Sequence, residues 1–321
     1  MRAFDAFSAV CSSGVVPGIE HRRLASFDGT ELAYQVRGEG PAVVLVNGLG
    51  GSFEAFRHIY AELGERYKIL CWDYRGLYGS SPPRDMSTLA VPYHCDDLDR
   101  LLDHEKIDRA VFIGWSMGVQ VIFEFHRKRR QRMDGIVAIN GTAGLPFRSA
   151  MASRAVSTLI PLILRAMRAQ ATLVGRVTRA AVAWEGVVPM MQRFGMVSRT
   201  LDMEAFRDVA AGFASVDWKL YLDTMSRLGE HDAFDVLPEV TIPTLVITGD
   251  RDLLTPAYTA ERIHRAVRGS RLVVIPGGTH YTPVEYPHII REELADFLAA
   301  IPGYGAPRAA AAGSAAGGGE G

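Results

Sequence analysis

The sequence predicts an α/β fold: a mostly parallel, doubly wound sheet with an N-terminal antiparallel hairpin and an inserted block of helices. Three observations predict it. Apolar β-branched runs alternate with helix-length segments over residues 41–144 and again over 243–300, the rhythm of repeated βα units. Asp28-Gly29 stands between two short alternating runs, a strong hairpin signal. Between residues 145 and 236 no β-like run of any length occurs, and helical spacing takes over. The expected organisation is an N-terminal extension (1–21), a first core segment (22–144), the helical insertion (145–236), a second core segment (237–302) and a tail (303–321).

Taken in order, residues up to about His21 carry no clear period. Residues 24–27 and 31–36 form the hairpin strands. Residues 41–46 are a continuous β-branched run, as expected of a strand covered on both faces. The run ends in Asn47-Gly48-Leu49-Gly50-Gly51-Ser52, where Ser52 is placed to cap a helix reaching about Leu63. A second buried strand spans 67–72, a helix rich in Asp and Leu spans 91–104, and further strands span 109–113 and 135–139. Within the insertion, Trp218, Tyr221, Leu222, Met225 and Leu228 share one helical face, as do Phe206, Val209, Ala210 and Phe213. The βα rhythm then resumes with a strand over 243–248, a helix over 258–267, a strand over 271–275 and a helix over 287–300. Beyond Pro302 the Ala/Gly-rich composition offers nothing to bury and predicts a disordered tail.

Composition narrows the function classes. Hydrophobic residues make up 48% and charged residues 22% of 321, and the net charge is −1, so no global field favours nucleic acid. Cys11, Cys71 and Cys95 are scattered with no C-x-x-C pair, which fits a reducing, cytoplasmic setting. The N-terminal apolar segment is broken by Asp5 and Ser8, too short for an export signal. The most apolar later stretch, residues 156–164, contains Pro161 and is followed by Arg165 and Arg168; a spanning helix needs about 20 apolar residues. His94, Cys95 and His104 follow no metal-ligand spacing, and no Gly-rich phosphate loop occurs, so neither metal nor cofactor is implied. The cations of residues 127–132 sit where a helix C-terminus favours positive charge, and read as a solvated helix end rather than a docking patch for an anion.

The chemistry gathers at Gly114-Trp115-Ser116-Met117-Gly118, between an apolar run and a helix-prone stretch. The serine sits at the apex of a sharp turn, and a Cβ at either flanking glycine would clash with neighbouring backbone. The helix N-terminus behind it offers unpaired N–H groups to a developing oxyanion. With its flanking strand and helix, this resembles the nucleophile elbow of the α/β-hydrolase family. The likeness covers residues 27–301, with the helical insertion matching the family's cap.

The resemblance implies the rest of the site. A serine needs a base and an acid to orient that base, in the chain order serine, acid, histidine. His280 lies in the loop after the last strand, and Asp252 and Asp250 lie in the loop after the penultimate one; the family's G-x-x-D-x-x-x-P pattern selects Asp252, and Asp250 is the alternative. Asn140-Gly141 stands where some members carry the acid. The amides of Leu49 and Met117 are the implied oxyanion donors, and Gly48 and Trp115 beside them the implied substrate contacts. Two departures are visible: Tyr78 shifts the spacing of the D-x-R-G-x-G-x-S turn, and Val119 stands where a glycine is frequent. The implied activity is cleavage of a carboxylic ester by a Ser116–His280–Asp252 triad. Apolar residues of the insertion would line a pocket for a medium or long acyl chain. Lactone, thioester and C–C bond hydrolysis use the same triad. A receptor-like binding protein and a lipase-like membrane-surface enzyme with residues 156–164 in a mobile lid are further readings.

Overall fold

The computed structural model describes residues 17–149 and 154–305, so the expectations for the N-terminal segment before residue 17, for Cys11 and for the tail beyond 305 lie outside the described residues. Asp28 and Gly29 sit between β1 (Glu20–Ala25) and β2 (Glu31–Arg37), which pair antiparallel with Leu24 opposite Leu32. The first strand begins earlier than its own pattern suggests and ends at Ala25, because pairing with β2 supplies order that its mostly exposed side chains do not.

β3 (Ala42–Val46) is covered on both faces: Val44 and Val46 face one core, Val43 and Leu45 the other. Period-2 alternation of entirely apolar side chains therefore fills two layers at once. Ser52 does not cap a helix. A 3₁₀ turn at Phe53–Phe56 intervenes before α1 (Arg57–Leu63), and the Ser52 hydroxyl turns inward, buried and without a hydrogen-bond partner. β4 (Lys68–Trp72), α2 (Val91–His104) and β5 (Ala110–Trp115) follow, then α3 (Met117–Arg129) and β6 (Met133–Ile139). α3 is buried from Met117 to His126. Its basic end and the 3₁₀ turn after it are ion-paired: Lys128 to Asp96, Arg129 and Arg132 to Asp99.

Six α-helices separate β6 from the next strand among the described residues: α4 (Pro146–Ser149), α5 (Arg154–Ala169), α6 (Ala171–Ala183), α7 (Val187–Arg193), α8 (Met203–Ser215) and α9 (Trp218–Glu230). Asp202 and Asp217 cap α8 and α9 through two backbone N–H groups each. Trp218, Tyr221 and Leu222 are buried in the main core, with Met225 and Leu228 packed against it, as their spacing requires. The N–H of Ala233 donates to the carbonyl of Ala143 (2.8 Å), so the insertion leaves and re-enters the core at one point.

β7 (Thr244–Gly249), α10 (Ala257–Ala266), β8 (Arg271–Ile275), α11 (Thr282–Glu285) and α12 (Pro287–Ala299) complete the chain. The eight strands form one sheet in the order β1-β2-β4-β3-β5-β6-β7-β8. Only the pairs involving β2 are antiparallel; the other five are parallel. The carboxyl ends of β3, β5, β6, β7 and β8 therefore share one edge, and the loops carrying Leu49, Ser116, Asn140, Asp252 and His280 leave from it.

Candidate active site

Ser116 has φ 57° and ψ −116°, a sparsely populated conformation that persists only where surroundings enforce it. Here they do. Its N–H donates to the carbonyl of Ile139 (3.0 Å), and Gly118 lies so close to β3 that a Cβ there would stand 2.1 Å from the Val46 carbonyl oxygen. The turn lifts the serine hydroxyl to 2.9 Å from His280 Nε2. His280 Nδ1 lies 2.8 Å from Asp252 Oδ2. Serine, imidazole and carboxylate form a continuous relay drawn from three loops.

Asp252 is buried and surrounded by donors. Oδ1 accepts from the N–H groups of Leu254 and Thr255, both at 2.8 Å. Oδ2 accepts from Thr255 Oγ1 and Asn140 Nδ2, also at 2.8 Å. Burial alone would push this carboxyl up, but His280, the Thr255 N–H and the Asn140 amide together hold it below the usual carboxylate range. The ionised carboxylate can only accept, so Nδ1 carries the imidazole proton and Nε2 turns its lone pair to Ser116.

Asp250 is not in this relay. It is exposed, and its carboxylate accepts from the N–H of Gly277 (2.7 Å), tying the acid loop to the histidine loop. The two loops are pressed together: a Cβ at Gly249 would stand 2.1 Å from the Gly278 carbonyl oxygen. Asn140, noted only because it stands where some members carry the acid, bonds to the Asp252 carboxylate. Its amide donates to Asp252 and to the Thr279 carbonyl (3.1 Å), and its carbonyl accepts from the Thr282 hydroxyl. The signal available in the sequence was a residue tolerant of positive φ at a strand's carboxyl end; Asn140 has φ 44°. Thr255 and Glu285 were also missed. Glu285 is buried and accepts from the Thr279 N–H (2.8 Å) and hydroxyl (2.6 Å) and from the Ser198 N–H (2.6 Å), joining the histidine loop to the insertion.

The turn holding Gly48 and Leu49 runs beside the serine: a Cβ at Gly48 would lie 3.1 Å from Ser116 Cβ. The Tyr74 hydroxyl donates to the Asn47 carbonyl (2.6 Å) and fixes the turn's start. The Leu49 N–H donates to no acceptor among the described residues, and Met117 N–H belongs to the first turn of α3, where helical N–H groups lack intrahelical partners. Trp115, expected as a substrate contact, is buried with its ring against Gly48 and Gly51, and its indole N–H donates to the His280 carbonyl (2.8 Å). It therefore supports the turn of Gly48–Gly51 and the histidine loop.

The insertion places aromatic side chains against that turn. Phe213 and the Tyr221 hydroxyl flank Gly50, and Phe213, Trp218 and Tyr221 pack with ring centroids 5.0–5.3 Å apart. Tyr281 bridges Trp115 and Phe206, and burial, with Glu285 and Asp252 nearby, pushes its phenol up to about 12. Tyr78, the residue that shifts the turn's spacing, adopts φ 48° and carries a buried hydroxyl with no partner. Tyr78 and Ser52 Oγ approach the same point of α8, at Gly212.

Comparison with known proteins agrees with this architecture. The profile of the alpha/beta hydrolase fold matches residues 41–287. An uncharacterized protein of Mycobacterium tuberculosis is 28% identical, over 79% of this chain and 74% of its own. The human serine hydrolase BPHL is 26% identical, over 84% of each chain. Among solved structures, the enol-lactonase of Burkholderia xenovorans superposes with a TM-score of 0.68 at 24% identity, covering 86% of this chain and 99% of that one.

Proposed function

The chain belongs to the alpha/beta hydrolase fold family, and we propose that it is a serine hydrolase cleaving a carboxylic ester with an apolar acyl group. The observation that carries this reading is the relay itself, Ser116 Oγ to His280 Nε2 at 2.9 Å and His280 Nδ1 to Asp252 at 2.8 Å. Ser116 attacks the ester carbonyl while His280 takes its proton; the same proton then goes to the leaving alkoxide. Water, deprotonated by His280, attacks the acyl-enzyme and releases the acid. Asp252 holds the imidazole tautomer and stabilises the imidazolium. The amides of Leu49 and Met117 receive the oxyanion, each worth about 2.7–4 kcal/mol in the transition state.

The aromatic set Phe213, Trp218 and Tyr221 beside Gly50 supports an apolar acyl group, with the helical insertion acting as a cap over it. The human relative named a serine hydrolase is consistent with the nucleophile. Cys71 and Cys95 are buried free thiols, which supports a reducing, cytoplasmic setting. One observation favours a second reading. The unpartnered hydroxyls of Tyr78 and Ser52 would suit an acyl group bearing a further oxygen, as in a lactone.

The test is turnover of p-nitrophenyl esters of increasing acyl length, with Ser116→Ala alongside. The expected result is an optimum at medium length and loss of at least about 10³-fold in the variant. Absence of turnover on every ester by the folded protein would overturn the ester reading, and lactones would be tested next.

A further inference from the structure

The insertion carries an apolar surface that no other described residue covers. α5 turns Ile160, Leu164 and Met167 toward the main core. A second stripe on the same helix, Leu159, Leu162 and Ile163, is 51–63% exposed. α6 repeats the arrangement, with Ala171 and Val174 inward and Leu173 and Val177 outward at 53% and 59% exposure. Trp184 and Phe194, at 55% and 68%, extend the apolar surface. Residues spaced i, i+3, i+4 on one helix side normally bury; two such stripes on each helix leave one in need of a partner.

Charge identifies the partner. Residues 154–201 contain Arg154, Arg165, Arg168, Arg176, Arg179, Arg193 and Arg199 against one acid, Glu185: seven positive and one negative give +6, in a chain of net charge −1. Arg165, Arg176, Arg179 and Arg193 are exposed and pair with no carboxylate among the described residues, whereas Arg168 pairs with Asp223. A solvated helical surface mixes both signs. A second copy of this chain would bring +6 against +6. Bulky apolar groups with arginines beside them, including an exposed Trp and Phe, are the composition of helices that lie in a lipid interface, and anionic headgroups supply the missing negative charge.

We propose that the outer face of α5 and α6 docks on an anionic lipid bilayer. The apolar stripes enter the boundary between headgroups and acyl chains, and the arginines meet the lipid phosphates. No helix of the described residues is long and apolar enough to cross a membrane, so the contact is peripheral. α6 packs on α8 and α9, the helices carrying the aromatic residues beside the oxyanion turn. The docking face thus lies on the opposite side of the insertion from the candidate site.

The test is co-sedimentation of the full chain with vesicles of phosphatidylcholine alone and of phosphatidylcholine with phosphatidylglycerol. Binding is expected to the anionic vesicles, weakening as salt is raised. Leu162→Asp with Val177→Asp should abolish it. Arg176→Ala with Arg179→Ala, which alters two exposed side chains and leaves the apolar stripes intact, should weaken it roughly 10- to 30-fold at unchanged thermal unfolding. A wild-type protein that leaves anionic vesicles unbound overturns the proposal, as does an arginine variant that binds like wild type. A wild-type dimer that these substitutions convert to monomers would mark the face as a homotypic interface and also overturn it. The readout is binding, so failure of ester turnover leaves it standing.

Discussion

A serine next to an imidazole gains reactivity only if the imidazole is held in one tautomer, and in the proposed mechanism that task falls to Asp252 and its donors. Asp252→Asn is expected to lower kcat by about 10⁴-fold, because an asparagine can present its NH₂ to Nδ1 and turn the proton onto Nε2. Asn140→Ala should act more mildly. It removes one bond to a buried carboxylate, worth about 1.5–3 kcal/mol, hence roughly a 10- to 100-fold loss in kcat with KM little changed. Because the Asn140 amide helps hold the Asp252 carboxyl low, its removal should also move the Asp252 titration upward. A pH profile of kcat/KM for both proteins reads that shift, and a purely structural role would leave the profile in place. Asp73 makes a separate case. Burial pushes its carboxyl up to about 7, with only the Gly79 N–H and the more distant Arg23 opposing. A raised carboxyl binds its proton more tightly in the folded chain than in the unfolded one. Stability from this group therefore falls as pH rises from about 3.9 to about 7 and levels off above. Asp73→Asn can keep the bond from Gly79, so it should raise Tm relative to wild type at pH 8 and change it little at pH 4.

At the scale of elements, the elbow works because a strand, a turn and a helix are pressed against β3. The glycines are steric necessities there. Gly118→Ala puts a methyl group 2.1 Å from the Val46 carbonyl oxygen, backbone that cannot swing aside as a side chain would. The expected cost is at least about 1–3 kcal/mol, measured by urea unfolding, with loss of activity exceeding loss of folded protein because the serine turn moves first. The basic end of α3 should behave differently. Its ion pairs with α2 are half-buried and still reach solvent, and Lys128→Ala is expected to shift stability by about 1 kcal/mol.

At the scale of the molecule, one buried cation ties distant segments. Arg75 is fully buried and pairs with Asp97 on α2, which is equally buried, and with Asp28 in the hairpin turn, while Ser26 donates to Asp97. Arg75→Met would leave the Asp97 charge uncompensated and should destabilise by about 3–5 kcal/mol in denaturant titration; adding Asp97→Leu should recover part of the loss. The outer face of the insertion is the other feature at this scale, since its exposure emerges only when α5 and α6 are seen packed on the rest of the molecule.

What the sequence determined by itself were the features written in local chemistry. Asp28-Gly29 dictated the hairpin, since few residues accept its backbone angles. Continuous apolar runs dictated strands with two covered faces, and the spacing of Trp218, Tyr221 and Leu222 dictated a buried helical face. Gly114 and Gly118 around Ser116 marked the strained turn, and the family resemblance implied Asp252 and His280, which lie in one hydrogen-bonded chain with Ser116. Only the tertiary structure decided what depends on distance between segments far apart in the chain. Asp252 faces His280 while Asp250, two residues away, faces Gly277, because a loop's path and not its composition sets which carboxylate points inward. Asn140 became a donor to the acid because β6 lies next to β7 in the sheet. Ser52, a capping residue by type, turned its hydroxyl inward to a 3₁₀ turn's buried side. α5 carries two apolar stripes, and periodicity detects both alike; which one the core covers is settled by packing, since burial is a property of neighbours and not of the helix alone.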